Sequence, residues 1–337
     1  MRIFITGVEG VLGSVLAKEL RTRGHEVFGC GLQHSADPNV VRANIANARQ
    51  FMAGMIKTVG YSCDLIYHLA GEFGRNNGRD FYEELWTSNC IGTNNVIAAA
   101  RIYDCPMVFA SSSEAYGLSE LYNDGQSLRE EMLDHNVPQY HNEYALSKFC
   151  NERQVFTAVR NEGLKAIVLR FFNVYGPPER FSPYRSVVCQ FAWKLLNGLP
   201  LTVNREGKRS HLWIGDWANT VANIAEGKRL ESLLNPHKLW PGAGGTPGVP
   251  VFNIGSSDYE SIESLYNKLV DIIGSKTSDE TFGQSDVTFI ESEPANSATK
   301  RPNCVQAEVY LDHNPVMPLE DGLCDTVDFL NAIKRGL

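Results

Sequence analysis

The chain has 337 residues, 43% of them hydrophobic and 21% charged, an ordinary balance for a globular protein with a sizeable buried core. Its net charge of -8 excludes a general nucleic-acid binder, which needs a basic face, but leaves room for one local anion pocket. No run approaches the roughly 20 apolar residues of a membrane span, and "MRIFITG" turns to glycine too soon for a signal peptide.

In chain order, "RIFIT" reads as a strand. "VLGSVLAKELRTRG" follows as a helix with apolar residues at helical spacing and Gly24 as its stop. "HEVFGCG" is a second strand, "ARQFMAGMIKTVG" a helix and "CDLIYHLAG" a third strand. "ELWTSNCIGTNNVIAAARIYD" reads as one helix, "PMVFASS" as a strand, "EYALSKFCNERQVFTAVRNEG" as a long amphipathic helix and "KAIVLRFF" as a further strand. Strands alternating with helices of this length predict βαβ units, and hence an α/β fold with a doubly wound parallel sheet. The rhythm changes at Pro177 and Pro178, which predicts a first domain over 1–176 and a smaller α/β lobe over 177–337, with some segments of the second returning to the first.

Gly7, Gly10 and Gly13 lie between the first strand and the first helix. A tight turn, an open backbone and close helix–strand packing at these places fit a dinucleotide pyrophosphate on the helix N-terminus, against the amides of Val11 and Leu12. The second strand should end in an acid that grips a ribose 2′-hydroxyl. Gly31 stands there instead, with no carboxylate until Asp37 and with Arg42 further on, so NAD is expected and NADP is left open. Tyr144 and Lys148 share one helical face, where a lysine lowers a phenol's pKa and readies it to take a proton. The eight cysteines form no CxxC and no zinc spacing with histidine; they read as free thiols of a reducing cytosol, and no metal is expected. His68 reads as a packed core residue.

Taken in order, "TGVEGVLG", "DLIYHLAG", "SNCIGTNNVI", "SSSEAYG", "YALSK", "LRFFNVYGP", "GKRSHLWIGDWA" and "FNIGSS" resemble the extended short-chain dehydrogenase/reductase family, specifically its nucleotide-sugar epimerases, dehydratases and decarboxylases. The resemblance implies a Rossmann-type first domain, a nucleotide-diphosphate-sugar substrate and a homodimer, while the free thiols lead to the expectation of a cytoplasmic protein. It implies Ser112 on the hydroxyl being oxidised, Tyr144 as base, and Lys148 on the nicotinamide ribose. Asn44 and Ile45 would meet adenine, Leu69, Ala70 and Gly71 the cofactor's ribose, and Asn89 would stand behind the site. Asn173 and Arg209 would meet the diphosphate, with Arg185 and Arg301 as further substrate-side arginines.

Ser113 and Glu114 stand where the 4,6-dehydratases keep an acid for C6 and a base for C5, so the base position is filled and the acid position is not. The Ser-Glu pair resembles UDP-glucuronate decarboxylases. The insertion "GEFGRNNGRDFYEELW" instead resembles a loop of GDP-mannose 3,5-epimerases, which would bring Glu72 and Arg75 to the sugar; a loop packed over the cofactor is the alternative. The expectation is an epimerase that oxidises C4 transiently with Glu114 assisting. Decarboxylation, dehydration, net NADPH-dependent reduction and a non-catalytic NAD(P) sensor are the alternatives.

Overall fold

Strand β1 (Arg2–Thr6) sets the layering by simple alternation: Ile3 and Ile5 enter one hydrophobic core, and Phe4 enters the other. The computed structural model describes residues 1–276, 285–292 and 297–336, so the expected second lobe, 177–337, is described apart from 277–284, 293–296 and 337. Beside β1 lie β2 (Glu26–Gly31) and β3 (Val40–Arg42) on one side. On the other lie β4 (Leu65–His68), β5 (Met107–Ser112), β6 (Ala166–Phe171) and β7 (Val251–Ile254). All seven strands are parallel, in the order β3-β2-β1-β4-β5-β6-β7. The order reverses between β1 and β4, which opens the crevice where ligands bind in such sheets.

The main helices are α1 (Val11–Thr22), α2 (Ala48–Thr58), α3 (Gly92–Ile102), α4 (Glu143–Glu162), α5 (Val187–Leu196), α6 (Ile214–Ala222), α7 (Ile262–Lys276) and α8 (Leu319–Lys334). Helices α1 and α6 cover the Ile3 face with Leu16, Leu20, Trp217 and Val221; α2, α3 and α4 cover the Phe4 face with Phe51, Met55, Val96 and Val155. Strand β7 and helix α6 come from beyond Pro178 and pack with the first unit. Helices α5, α7 and α8 build a separate core from Val188, Leu195, Leu265, Leu269, Leu323 and Val327.

The helix expected over 84–104 is segmented: an α-turn over Tyr82–Trp86, a π-turn over Thr87–Ile91, then α3. Local widening of this kind re-aims a side chain, here the buried Asn89. Helix α4 starts where expected because the Asn142 side chain accepts the Ala145 amide, and it ends at Gly163, whose φ of 75° only glycine adopts cheaply.

Arg170 on β6 is fully buried and grips Glu152 of α4 through Nε and Nη2 at 2.9 and 2.8 Å. Ser111 of β5 donates to the same carboxylate at 2.6 Å, and Arg170 Nη1 donates to the Tyr116 hydroxyl at 3.1 Å. That hydroxyl donates in turn to Asn253 of β7 at 2.8 Å, and the Asn253 amide donates to the Glu130 carboxylate at 2.8 Å.

Burial pushes the Glu130 carboxyl up to about 7, with the Asn253 amide pulling the other way. A carboxyl raised in the folded state stabilises below its unfolded value and loses that contribution as pH rises through the folded value. Stability measured by denaturant unfolding should therefore fall between about pH 4.5 and pH 7, by an order of 3 kcal/mol for this group. Glu130→Gln should flatten that window; an unchanged slope in the variant would contradict the assignment.

Candidate active site

A cleft of about 710 Å³ runs across the carboxyl ends of β1, β2, β4 and β5 and reaches the second lobe. At one end it is walled by Gly7, Gly10, Val11, Leu12, Gly13, Asn44 and Ile45, and in the middle by Leu69, Ala70, Gly71, Ser112, Ser113, Glu114, Tyr144 and Lys148. The far end holds Asn173, Arg185, Arg209 and His211. Almost every residue singled out from the sequence thus faces one space, of a size that suits a small-molecule site.

The glycine turn fits a pyrophosphate. Gly7 has φ 71°, and a Cβ on Gly13 would lie 2.1 Å from the Gly7 carbonyl oxygen, so no side chain is admitted there. Gly10 is the N-cap of helix α1 and offers no side-chain cap, which leaves the helix's first amides at the cleft wall. Gly71 is tight for a different reason: a Cβ there would meet Asn89 Oδ1 at 2.9 Å. Asn89 itself is tied to Glu72 and to the Ser147 hydroxyl, so it supports the wall from behind.

Neighbouring side chains of "SSSEAYG" meet different partners. Ser111 faces the buried Arg170–Glu152 pair. Ser112 caps the following turn by accepting the Glu114 amide at 3.2 Å, and its hydroxyl also bonds Tyr144. Burial pushes the Tyr144 phenol up to about 12; the Ser112 bond opposes this, and the Glu114 carboxylate adds to it. The expected depression of the phenol by Lys148 is not what the geometry gives. The Lys148 ammonium donates to the Ala110 carbonyl at 2.9 Å and lies 5.8 Å from the Tyr144 ring centre; burial lowers its own pKa to about 8.

Glu114 is ion-paired with Lys300, a residue the sequence reading did not single out. Lys300 is 1% exposed, on a two-residue strand, Thr299–Lys300, that pairs in parallel with Lys208–Ser210 and sets Lys300 in register with Arg209. Burial alone would raise the Glu114 pKa; the Lys300 charge, with Arg209 and Arg75 behind it, brings it down to about 2. Burial holds the Lys300 ammonium below its ordinary range, with Glu114 opposing.

At the far end of the cleft, Asn173 takes the left-handed φ of 38° and donates to the Ser210 carbonyl at 2.9 Å. Arg209 is buried, and its two terminal nitrogens bind the carbonyls of Lys208, Ser297 and Ala298, which fixes it in the wall. Arg185 stacks over Phe73 at 4.7 Å and keeps a buried Nε without a hydrogen-bond partner among the described residues. The insertion folds as a short helix, Arg75–Asp80, and puts Glu72, Phe73, Gly74, Arg75 and Asn76 along the cleft. Arg301 is the exception: it is exposed, its guanidinium lies 5.8 Å from the Tyr259 ring centre, and it is not part of the cleft wall. Consecutive extended residues face opposite ways, and Lys300 is the one turned inward.

His211 was also missed. It lines the cleft, and both its ring nitrogens are buried without a partner among the described residues. His68 is buried between the hydroxyls of Thr6 and Thr93, at 2.8 and 3.0 Å. The cysteines are all unpaired, no His/Cys/Asp/Glu cluster among the described residues could hold a metal, and no described helix is long and apolar enough to cross a membrane.

The profile described as the NAD dependent epimerase/dehydratase family matches residues 3–232, and the chain belongs to that family. It is an NAD-dependent enzyme of the epimerase/dehydratase kind, with a Rossmann-type sheet. It is similar to UDP-glucuronic acid decarboxylase 1 of Xenopus tropicalis, with 26% identity across 97% of this chain and 72% of that one. It is similar at 25% identity to the UDP-N-acetyl-alpha-D-glucosaminuronate decarboxylase of Bacillus cytotoxicus, across 99% of both chains. The UDP-glucose 4-epimerase of Thermus thermophilus, solved with NAD, shares the fold with a TM-score of 0.78 at 21% identity, across 98% of this chain and 99% of that one.

Tyr144→Phe tests the centre most simply. Removing one proton-transferring group should slow turnover about 100- to 10,000-fold. The amount of NAD retained by the purified protein should not change; comparable turnover in the variant would contradict the placement of Tyr144 at the reacting hydroxyl.

Proposed function

We propose that the protein is an epimerase of a nucleotide-diphosphate sugar, one that oxidises C4 transiently and exchanges a proton at C5. The observation that carries this reading is the Glu114 carboxylate, held ionised by Lys300 in the same cleft wall as Ser112 and Tyr144. Bound in this cleft, NAD would supply the acceptor for a hydride from C4 and the means of its return.

The chain's own residues have distinct parts in this scheme. The Gly7–Gly13 turn would hold the pyrophosphate, with Asn44 and Ile45 at the adenine end and Lys148 near the nicotinamide ribose. Ser112 would orient the C4 hydroxyl, and Tyr144 would accept its proton as the phenolate, a form that the positive charge of bound NAD would favour against the effect of burial. Asn173 and Arg185 would meet the substrate diphosphate, since a guanidinium fork suits phosphate oxygens, and Arg209, its terminal nitrogens held by backbone carbonyls, would add its charge from the wall. Once C4 is a ketone the C5 proton is acidic, and a placed carboxylate can remove it.

A carboxylate with a pKa near 2 is a weak base while it stays paired with Lys300. A substrate anion that engages Lys300 would loosen that pair and restore the basicity of Glu114. A sugar carboxylate at C6 is the anion best placed to do so, with Arg75 nearby as a second cation. The same cations favour a second reading, decarboxylation. The C5–C6 bond would break with its electrons drawn to the C4 ketone, carbon dioxide would leave, and C5 would then take a proton. The names of the Xenopus and Bacillus relatives support that alternative.

A panel of UDP-, GDP-, dTDP- and CDP-sugars, uronic acids included, run in deuterated water and read by NMR and mass spectrometry decides between them. Inversion should give an isomer carrying deuterium at C5; decarboxylation should give a product short of carbon dioxide. In either case Glu114→Gln should lower C5 deuterium incorporation or turnover at least about 100-fold. Inversion at C4 alone, with no deuterium uptake and a fully active Glu114→Gln, would sink the reading.

A further inference from the structure

The end of β2 is where a dinucleotide site usually keeps the acid that holds the adenosine ribose 2′-hydroxyl. Gly31 occupies that place and forms the cleft wall with Cys30 and Leu32. The next acid along the chain, Asp37, is occupied elsewhere: it pairs with Arg21 at 2.5 Å and accepts the Asn39 amide at 2.9 Å.

The missing side chain has a replacement in space. A Cβ built on Gly31 would lie 2.6 Å from Glu9 Oε2 and 3.7 Å from Glu9 Cβ. The carboxylate of Glu9 therefore fills the volume that an acid at position 31 would enter. Glu9 comes from the glycine turn, between Gly7 and Gly10, so it approaches from β1 rather than from β2. The one basic group in register with Gly31 on β3 is Arg42, whose guanidinium is drawn to the Leu32 carbonyl at 3.0 Å and to His34 at 3.2 Å.

We propose that Glu9 is the ribose-gripping acid of this enzyme, supplied from the glycine turn to compensate for Gly31, and that it selects NAD over NADP. A carboxylate accepts hydrogen bonds from the ribose hydroxyls and repels a 2′-phosphate. The glycine at 31 is what makes room for it. With Glu9 gone, Arg42 is the nearby cation that a 2′-phosphate would find.

The test uses Glu9→Ala, Gly31→Asp and the double variant; Glu9 is exposed, so its removal leaves the core untouched. Dissociation constants for NAD and NADP are measured by calorimetry on nucleotide-stripped protein. The nucleotides released from each protein as purified are also identified by mass spectrometry. Glu9→Ala should weaken NAD binding about 10- to 100-fold, the loss expected for hydrogen bonds to a charged group, and should raise the NADP share of released nucleotide. Gly31→Asp alone should also weaken NAD, because its side chain and Glu9 claim one volume with like charges. The double variant should recover NAD affinity and preference. An unchanged NAD-to-NADP ratio in Glu9→Ala, by either measurement, overturns the proposal, and so does a double variant no better than Glu9→Ala.

Discussion

The buried pair of Arg170 and Glu152 is the interaction on which the rest of the site depends. Both side chains are fully out of water, and the fork of Arg170 engages both carboxylate oxygens. Such a pair gains little over apolar packing, but removing one partner strands the other, typically at about 3–5 kcal/mol. What it supplies here is alignment. Arg170 is on β6 and Glu152 on α4, Ser111 of β5 completes the carboxylate's bonds, and the Tyr116 hydroxyl accepts from the guanidinium. Helix α4 carries Tyr144 and Lys148, and β5 ends in Ser112. Ser112 and Tyr144, proposed to work at C4, and Lys148, proposed at the nicotinamide ribose, are therefore fixed relative to one another by a charge pair that none of them touches.

A second charge pair does the corresponding work between the two parts of the chain. Glu114 follows β5, whereas Lys300 lies beside Arg209 on the small sheet of the second lobe. An overall charge of -8 thus coexists with a local cluster of Lys300, Arg209 and Arg75 around one carboxylate. Low-dielectric walls concentrate that field in the cleft, where an anionic substrate would enter.

Much of the frame was readable from the chain because it rests on local signals. Alternation fixed the strands, apolar spacing fixed the helices, and Gly7, Gly10 and Gly13 announced the turn. Tyr144 and Lys148 were legible as a pair because four residues make one helical turn. What escaped depends on distant partners. Nothing local distinguishes Lys300 from Arg301; only the pairing of Thr299–Lys300 with Lys208–Ser210 turns one inward and the other out. Glu9 reads as an incidental turn residue until the chain brings β2 beside it. The Lys148 effect on Tyr144 was misjudged because the Ala110 carbonyl, far away in sequence, holds the ammonium. Ser111 and Ser112 look alike in "SSSEAYG", yet the Ser111 hydroxyl goes to the buried pair and the Ser112 hydroxyl to the Glu114 amide and Tyr144.

The most direct measurement is the ionisation of Glu114 itself, followed by NMR of protein labelled with carboxyl-¹³C glutamate and assigned by comparison with Glu114→Gln. The Glu114 signal should remain that of a carboxylate at about pH 4, below the ordinary midpoint of about 4.3 for a free glutamate, in keeping with a pKa near 2. In Lys300→Met the midpoint should move up, because burial then acts with less opposition. A wild-type midpoint at or above the ordinary value, or one indifferent to the loss of Lys300, would contradict a carboxylate held ionised by its buried lysine.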